Sequence, residues 1–379
     1  MRILILTPWP LCARGGTQTL VTGLAEALRV DSGLDVVIVT GDMPEKIEED
    51  TVSPGEIRRP LVSRPWPAWL PPPRHLVGGV FFSDLEKIIT ETAPDAILYT
   101  PHNSPCAHQA ARAARERSLP FLFWPLIHLD QPRHTNRAAR KLYRSASVVL
   151  ASSEVERLWL LERARVASER ILKLGGGWWK GASPSSPIAE RGPVPLRTPL
   201  RLLSVGEFAP HKRFEDQIGA VEVLRSVFHL EAHLTIAGTV RERAVFDHLQ
   251  TLIRRRKMED WVSLRANCSS AEIANLYRSA HFFLFTSASE SIGLSLADAI
   301  GFGTFPVIYP HPVYREIVES SGFGMIAHRP SPRALARATY VAWKNGGLSS
   351  AEKRRRFLSE RSWTSLAALL ARRLAEGFA

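Results

Sequence analysis

The sequence predicts an α/β protein in which two doubly wound parallel sheets follow one another along the chain. At 379 residues, the chain is too long for one ordinary hydrophobic core. Short aliphatic runs alternate with longer stretches of helical periodicity, a pattern typical of parallel strands covered by helices. The alternation stops in a segment rich in Pro, Ser and Gly, at 180–199, and then begins again. We therefore predict a first domain at 1–185, a second at 186–355 and a C-terminal helix at 356–379.

Twelve short runs are predicted as strands. In the first domain they are Ile3–Leu6, Val36–Thr40, Ala96–Tyr99, Phe121–Trp124, Val148–Ala151 and Ile171–Leu174. In the second they are Arg201–Val205, Ala232–Ala237, Val262–Arg265, Phe282–Phe285, Phe305–Ile308 and Met325–Ala327. Leu20, Leu24 and Leu28 recur at helical spacing after the first strand, and Thr17 is the expected N-cap. Ligands of doubly wound sheets bind beyond the carboxyl ends of the strands, so we expect an active site in a cleft between the domains.

Composition and charge narrow the classes of function. Hydrophobic residues make up 45% and charged residues 23%, as in soluble globular proteins. No apolar run approaches the roughly 20 residues that a membrane span needs. The 49 Lys and Arg outnumber the 37 Asp and Glu, and the net charge of +12 favours anionic partners. Zinc-finger spacing, aromatic RNA-binding signatures and basic zippers are missing from the sequence, so nucleic acid is not an expected partner.

The start of the chain and the cysteines indicate the compartment. Met1–Thr7 is an aliphatic run soon broken by Pro8 and Pro10, which is typical of a buried first strand rather than a secretory signal. The three cysteines are odd in number, far apart and without metal-ligand spacing, so we expect reduced thiols. The sequence therefore predicts a cytoplasmic protein.

The most informative segment is 287–308, where a strand precedes a small polar loop, a short helix and another strand. Its carboxylates, Glu290 and Asp298, lie eight residues apart on either side of Gly293. An anion at the start of the helix would meet unpaired amides and the positive end of the helix dipole. In a fully helical segment, the carboxylates would be roughly 12 Å apart along the axis. We therefore expect them to hold different parts of one long ligand.

A second segment, 203–213, follows the strand that opens the second domain. It contains Gly206-Glu207 and then the basic pair Lys212-Arg213 after a proline. A Lys at this place can supply a positive point charge, and a guanidinium matches the fork of phosphate oxygens. The position after a strand, rather than the basic pair itself, indicates anion binding.

Together, the two segments resemble family 4 of the GT-B glycosyltransferases, a large retaining family. The resemblance spans nearly the whole chain, and it is carried above all by the segments 204–212 and 287–308. It implies two Rossmann-like domains facing a central cleft. The first domain would be acceptor-side, the second would bind the nucleotide-sugar, and a C-terminal helix would cross back to the first.

The resemblance implies roles for the residues of the first segment. In the family's Glu-x7-Glu signature, the first Glu approaches the donor sugar and the second binds the ribose of the nucleotide. Glu290 takes the first role and Asp298, one methylene shorter than Glu, takes the second. Ile292, Gly293 and Leu294 form the loop whose amides approach the sugar and the diphosphate.

In the second segment, Lys212 matches the family's diphosphate-binding lysine. Glu207 stands where the family has an arginine, a charge reversal that removes one expected phosphate contact. Arg213 is the predicted replacement for that contact.

The first domain contributes further candidates. Gly15 and Gly16 follow the first strand, and in the family a Gly-Gly pair at this place faces the donor phosphate, since glycines let backbone approach a ligand closely. His128 matches a family histidine that contacts the donor sugar, and we predict it as catalytic together with Glu290 and Lys212. His102 is an acceptor-side candidate.

Two surface features remain. Trp66 and Trp69 lie among the prolines of 60–73, where neither a strand ladder nor a helix is expected. Two interpretations of this segment stay open: an acceptor-side or membrane-grazing loop, and an ordinary surface loop. One helical face is basic and either contacts anionic lipid at the inner face of the cell membrane or is simply solvated. Its residues are Arg137, Arg140, Lys141 and Arg144.

The sequence thus predicts a retaining hexosyltransferase. It would transfer a sugar of the mannose, glucose or N-acetylglucosamine type from a UDP- or GDP-sugar to a glycan, glycolipid or lipid-linked acceptor. Because the sequence holds no Asp-x-Asp motif, neither a metal nor a cofactor is expected. Two alternatives stay open: a sugar-nucleotide epimerase on the same fold, and a non-catalytic anion- or lipid-binding protein.

Overall fold

A computed structural model describes residues 1–11, 15–42, 56–63, 80–178, 199–345 and 350–377. The chain forms two compact units. The first comprises 1–177 and 362–379, and the second comprises 178–361. The predicted domain boundary at 185 falls outside the described residues.

The first unit contains an eight-stranded sheet in the order β4-β3-β2-β1-β5-β6-β7-β8. All neighbours are parallel except β3 and β4. The strands are β1 (Arg2–Thr7), β2 (Asp35–Asp42), β3 (Glu56–Ser63), β4 (Val80–Phe82), β5 (Ala96–Tyr99), β6 (Phe121–Phe123), β7 (Val148–Ala151) and β8 (Ile171–Lys173). The helices of this unit are α1 (Gly16–Val30), α2 (Leu85–Thr92), α3 (Pro105–Glu116), α4 (Pro132–Thr135), α5 (Arg137–Ser145), α6 (Glu154–Glu162) and α14 (Trp363–Ala375).

The second unit contains a six-stranded parallel sheet in the order β11-β10-β9-β12-β13-β14, the Rossmann order. Its strands are β9 (Leu200–Val205), β10 (Ala232–Gly238), β11 (Val262–Ala266), β12 (Phe282–Phe285), β13 (Phe305–Ile308) and β14 (Met325–Ile326). Its helices are α7 (Phe214–Ser226), α8 (Arg243–Arg255), α9 (Ser270–Ser279), α10 (Leu294–Phe302), α11 (Pro312–Ser321), α12 (Pro332–Lys344) and α13 (Ala351–Glu360). The predicted fold class is therefore confirmed.

The strands form because their aliphatic runs are buried on both faces. Five of the six residues of β1 are buried, as are all four residues of β5, β7, β12 and β13. All twelve predicted strands are present, with ends within two residues of those expected. In α1, the predicted residues Leu20, Leu24 and Leu28 face the core.

The predicted N-cap of α1 was wrong. The helix begins at Gly16 and its N-cap is Gly15, so Thr17 already lies inside the first turn. Gly15 has extended backbone geometry and no side chain, which leaves the amides of the first turn without a side-chain cap from this position.

The prediction for 60–73 was wrong at its beginning, because β3 runs to Ser63 and includes Pro60. Pro60 is the last residue that pairs with β2, opposite Asp42, and the antiparallel pairing with β4 starts at Leu61. A proline has no backbone amide to donate to a neighbouring strand. Pro60 lies where the pairing of β3 with β2 ends and its pairing with β4 begins, and the missing donor is tolerated there. Trp66 and Trp69 lie outside the described residues.

The C-terminal segment 356–379, predicted as one helix, is divided between two helices and two units. The helix α13 belongs to the second unit, and α14 begins at Trp363 in the first. Ser362 caps α14, since its hydroxyl accepts from the Ser365 amide at 3.1 Å. The indole of Trp363 packs so closely on α1 that a Cβ on Gly23 would lie 2.4 Å from it.

Candidate functional site

In each sheet, the strand order reverses at one point, and the loops that leave the two strands there frame a crevice. In the first sheet the point lies between β1 and β5, and in the second between β9 and β12. Ligands of doubly wound sheets bind at such switch points, beyond the carboxyl ends of the strands. Of the predicted site residues, Gly15 and Gly16 lie after β1 and His102 after β5, whereas Lys212 lies after β9 and Glu290 after β12.

At the switch point of the second unit, Lys212 and Glu290 form an ion pair. The Lys212 ammonium meets Glu290 Oε1, and the two side chains are only 13% and 15% exposed. Lys212 follows β9 and Glu290 follows β12, so adjacent strands bring together residues that are 78 positions apart in sequence. The sequence predicted both residues for one ligand but not their direct contact.

The loops after β9 and β12 are tied to each other by their backbones. The Ala288 amide donates to the His211 carbonyl at 2.7 Å. The Thr286 hydroxyl donates to the Lys212 carbonyl at 2.8 Å and accepts from the Gln217 amide group at 2.8 Å. Gln217 is buried in α7, so these contacts fix the backbone that carries Lys212 before any ligand binds.

Sequence reasoning missed Thr286 and Gln217. A Thr after a strand and a Gln inside a helix are common, and only the pairing of β9 with β12 shows that they meet. The same loop is held from the other side by Tyr314 of α11, whose hydroxyl donates to the Ser287 carbonyl at 3.1 Å.

Gly293 makes the turn into α10. Its φ of +67° lies in the left-handed region, and a Cβ there would lie 3.0 Å from the Ile317 side chain. The helix begins at Leu294, and Ile292 is buried beside the turn. The loop formed by these three predicted residues therefore leads directly into a helix N-terminus, a favourable environment for an anion.

Asp298 lies one turn inside α10 and is half-buried. Burial raises the pKa of the neighbouring Tyr277 well above its usual value, and the Asp298 carboxylate raises it further. The Tyr277 hydroxyl donates to the Ser295 carbonyl at 3.0 Å, which ties α9 to the first turn of α10. Glu290 lies before the helix and Asp298 within it, so the two carboxylates belong to different structural elements.

Arg213 is bonded to partners within its own unit. It has a left-handed backbone with φ of 53° between the short 3-10 turn Pro210–Lys212 and α7. Its guanidinium pairs with Asp216 at 2.7 Å and lies 5.3 Å from the centre of the Tyr309 ring. The Tyr309 hydroxyl donates to the same carboxylate at 2.9 Å.

Glu207, at the position where the family has an arginine, is paired with an arginine from another loop. Its Oε2 lies 3.1 Å from Arg241 Nη1, and its Oε1 lies 4.0 Å from His211 Nε2. Sequence reasoning missed Arg241, because nothing in the sequence brings the loop after β10 beside the loop after β9.

At the switch point of the first unit, the loop after β1 leads into the N-terminus of α1. Gly15 and Gly16 are both exposed there. A Cβ on Gly15 would meet only the end of the flexible Gln18 side chain, at 2.7 Å, so the local fold does not demand a glycine at this position. The exposed N-terminus leaves room for close approach of a ligand to the backbone.

The same switch point carries a cluster of three imidazoles and one indole, which we call the imidazole cluster: Trp9, His102, His128 and His134. The rings of His102 and His134 stack at 4.4 Å, and the His128 ring lies 5.8 Å from His102 and 5.5 Å from His134. The Trp9 ring lies edge-on, 6.0 Å from His102. The structure thus brings the predicted residues His102 and His128 together.

Two members of the imidazole cluster, His102 and His134, are neutral near pH 7. Burial lowers the pKa of His102 to about 3 and that of His134 to about 2, and the neighbouring histidines and Arg133 lower both further. His134 Nδ1 accepts from the His128 amide at 2.9 Å, which fixes the backbone that carries His128. His134 itself was missed; its only signal is that four of the 12 histidines fall within 102–134.

The predicted basic face lies on α5 and is not uniform. Arg140 donates to the Thr135 carbonyl at 2.9 Å, and Arg144 donates to the Ala164 carbonyl at 2.8 Å. Arg137 and Lys141 are exposed. Two of the four cations are thus bonded to the protein itself.

Within the described part of the chain, no group of three or more His, Cys, Asp or Glu side chains is arranged to hold a metal ion. Over the same residues, no helix has the length and apolar character needed to cross a bilayer.

Two family models match the chain in tandem. "Glycosyltransferase Family 4" matches 14–172, and "Glycosyl transferases group 1" matches 190–360. The chain belongs to the family 4, or group 1, glycosyltransferases. The first match contains the imidazole cluster except Trp9, and the second contains the Lys212–Glu290 pair.

Several curated proteins resemble part of this family member. The GDP-mannose:cellobiosyl-diphosphopolyprenol alpha-mannosyltransferase of Komagataeibacter xylinus is 28% identical over 133 residues, which cover 35% of this chain and 33% of that protein. The mannosylfructose-phosphate synthase of Agrobacterium fabrum is 23% identical over 177 residues, which cover 45% of this chain and 39% of that protein. The chain thus aligns with about a third of the length of the curated relatives that it matches.

Solved structures resemble this glycosyltransferase family member over its whole length. Anabaena HepE in complex with UDP-glucose has a TM-score of 0.74 at 16% identity, and the match covers 99% of this chain and 100% of that one. Sucrose-phosphate synthase from Thermosynechococcus elongatus has a TM-score of 0.72 at 16% identity, covering 100% and 99%. At these identities the likeness shows the fold, which is GT-B.

Proposed function

We propose that the protein is a retaining, metal-independent hexosyltransferase that takes a sugar from a UDP- or GDP-sugar. The observation that carries the proposal is the Lys212–Glu290 pair at the β9–β12 switch point, beside the N-terminus of α10. Breaking the bond from the anomeric carbon to a nucleoside diphosphate leaves negative charge on the diphosphate and positive charge on the sugar. A cation and a carboxylate in contact offer one partner for each charge.

Lys212 is the proposed ligand of the diphosphate. The backbone contacts through Ala288 and Thr286 hold it in place, so little reorganisation is needed when the leaving group becomes charged. The Gly15–Gly16 backbone of the first unit is a further candidate for contact with the donor. The amides at the start of α10 are proposed to contact the same diphosphate as Lys212. These groups supply the positive charge that a metal ion supplies in other transferases.

Glu290 is proposed to orient the sugar and to stabilise its developing positive charge, without attacking it. The donor diphosphate competes with Glu290 for the Lys212 ammonium. Once the ammonium turns to the phosphate, the carboxylate is available for the sugar. Asp298, one turn into the helix, is proposed to bind the ribose of the nucleotide, and Arg213 remains a candidate for the donor site.

The acceptor is proposed to be a glycan, a glycolipid or a lipid-linked sugar. The mannosyltransferase relative acts, by its name, on a sugar linked through diphosphate to a polyprenol, which supports the lipid-linked choice and a mannose donor. Structures with bound UDP-glucose support a glucose donor equally. His128 is proposed to contact the donor sugar, and His102 to lie on the acceptor side.

Peripheral contact with an anionic membrane is the proposed way in which a lipid-linked acceptor is reached. Arg137 and Lys141 are exposed on α5 and can meet lipid phosphates, each contributing about 1 kcal/mol near such a surface. Arg140 and Arg144 are bonded within the protein, so the attraction is expected to be modest.

The test begins with a thermal-shift screen of UDP-, GDP- and other nucleotide-sugars against the full chain. A ligand present at 100 times its dissociation constant adds about 2.7 kcal/mol of stability. The donor that stabilises is then incubated with and without candidate acceptors in the presence of EDTA. Transfer only with an acceptor supports the proposal, an isomerised donor without acceptor supports an epimerase, and binding with neither reaction indicates a non-catalytic protein.

A further inference from the structure

Glu207 presents a physical problem for donor binding. It lies two residues after the end of β9 and five residues before Lys212, and its carboxylate would repel a diphosphate bound there. The structure supplies a compensating cation, because Arg241 Nη1 lies 3.1 Å from Glu207 Oε2. Arg241 comes from the loop between β10 and α8.

Stability alone does not account for this ion pair. The Arg241 side chain is 66% exposed and that of Glu207 is 32% exposed. Exposed pairs of this kind contribute about 0–1 kcal/mol to folding. A carboxylate at the end of a strand beside the site is costly for anion binding, so the pair calls for a functional explanation.

The backbone that carries Arg241 is held firmly on both sides. A Cβ on Gly238 would lie 1.8 Å from the Gly206 carbonyl oxygen, so only glycine lets the two loops run together. The Phe208 amide donates to the Thr239 carbonyl at 2.8 Å, and the Val240 amide donates to the Asn267 side chain at 3.3 Å. Arg241 is thus presented by a loop that is fixed between the ends of β9 and β11.

His211 lies close enough to four charged side chains for each of them to shift its pKa. Burial lowers the pKa of its imidazole, Lys212 and Arg241 lower it further, and the carboxylates of Glu290 and Glu207 raise it. The charges of Lys212, Arg241, Glu290 and Glu207 therefore all act on the same imidazole. Because the lowered pKa keeps His211 neutral near pH 7, Arg241 is the cation that balances Glu207.

We propose that Arg241 binds the diphosphate of the donor alongside Lys212 and that Glu207 is the positioning residue that holds its guanidinium there. The inference rests on the proposed function and adds to it a phosphate ligand that comes from a different loop. A guanidinium has five donors in a planar fork, so it can keep one N–H on Glu207 and direct others to phosphate oxygens.

Titration calorimetry with UDP and GDP, and with uridine and guanosine, tests this. Arg241→Ala should weaken the affinity for the nucleoside diphosphate, UDP or GDP, by about tenfold, because one charge-assisted contact is lost. The affinity for the corresponding nucleoside should stay within about twofold of wild type. Arg241→Lys should retain part of the affinity. The control is Arg243→Ala, two residues further on, whose side chain is 74% exposed and pairs with Asp247; it should change neither affinity.

Glu207→Gln tests whether neutralising this carboxylate weakens or strengthens diphosphate binding. If Glu207 positions Arg241, its neutralisation weakens diphosphate binding by about threefold, although a repelling charge has been removed. Tighter binding by Glu207→Gln, or equal binding by Arg241→Ala and Arg243→Ala, overturns the inference while leaving the proposed transferase intact. A wild-type chain that binds neither UDP nor GDP overturns both.

Discussion

The two units present the same topological position with opposite chemistry. In the second unit the switch point is charged and carries the half-buried Lys212–Glu290 pair. In the first unit it carries the imidazole cluster, in which burial lowers the pKa of His102 and His134 and keeps these two rings neutral near pH 7. The difference supports the proposal of a division of labour, in which the charged crevice binds the diphosphate and the crevice of the first unit binds uncharged hydroxyl groups of a sugar or an acceptor.

The largest effect is expected from Lys212→Ala. Removing one preorganised cation from the leaving group should lower the rate of transfer by about 10²-fold or more. Steady-state transfer with the donor found in the screen measures this. Lys344→Ala, an exposed lysine in the same unit, is the control and should leave the rate within about twofold. Near-normal turnover of Lys212→Ala would contradict the role proposed for the charged switch point of the second unit.

Glu290→Gln should also lower kcat by about 10²-fold, but with a different signature in binding. Because the carboxylate competes with phosphate for the Lys212 ammonium, its removal should tighten the binding of UDP or GDP. Single-turnover rates and calorimetry on the same preparation separate the two effects. A variant with weaker nucleotide binding and an unchanged rate would reverse the roles assigned to the pair.

A change in the first unit should affect transfer without affecting nucleotide binding. His128→Ala should lower kcat/KM by about tenfold, the worth of one neutral hydrogen bond. Its affinity for UDP or GDP should stay within about twofold of wild type. His248→Ala, on the exposed surface of α8, is the control. Loss of nucleotide affinity in His128→Ala would contradict the proposed division of labour.

The lowered pKa of His134 should appear in the dependence of stability on pH. The pKa of His134 is lowered to about 2 in the fold, whereas an unfolded histidine has a pKa of about 6.5. The unfolded chain therefore binds more protons between these values, so this contribution is fully present above pH 6.5 and is lost as the pH falls below it. For one such histidine, the loss between pH 7 and pH 5 is about 2 kcal/mol.

Urea unfolding of wild type and His134→Asn at pH 7 and pH 5 measures that loss. The variant removes the titrating group, so the difference in unfolding free energy between the two pH values should shrink by about 2 kcal/mol. Absolute stability is expected to fall at both pH values, since His134 is buried and accepts from the His128 amide. An unchanged pH difference would mean that His134 titrates with the same pKa in the folded and unfolded states.

Twelve of the fourteen strands in the described residues, and the order of the units, were predictable because both depend on local patterns. Aliphatic runs such as Val148–Ala151 are buried on both faces of a parallel sheet, and this requirement is visible in the residues themselves. The ends of helices were less predictable. The first turn of α1 starts at Gly16 rather than after a capping Thr17, and the break between α13 and α14 depends on which unit each helix packs against.

By itself, the sequence determined which residues can carry charge after each strand, and it predicted Lys212, Glu290, His102 and His128 as candidates on that basis. Only the tertiary structure decided their partners: Glu290 for Lys212, Arg241 for Glu207, and His134 for the ring of His102. The physical reason is the range of the interactions. Burial and periodicity act between near neighbours in the chain, whereas a crevice is formed by strands whose adjacency in the sheet is not adjacency in the sequence.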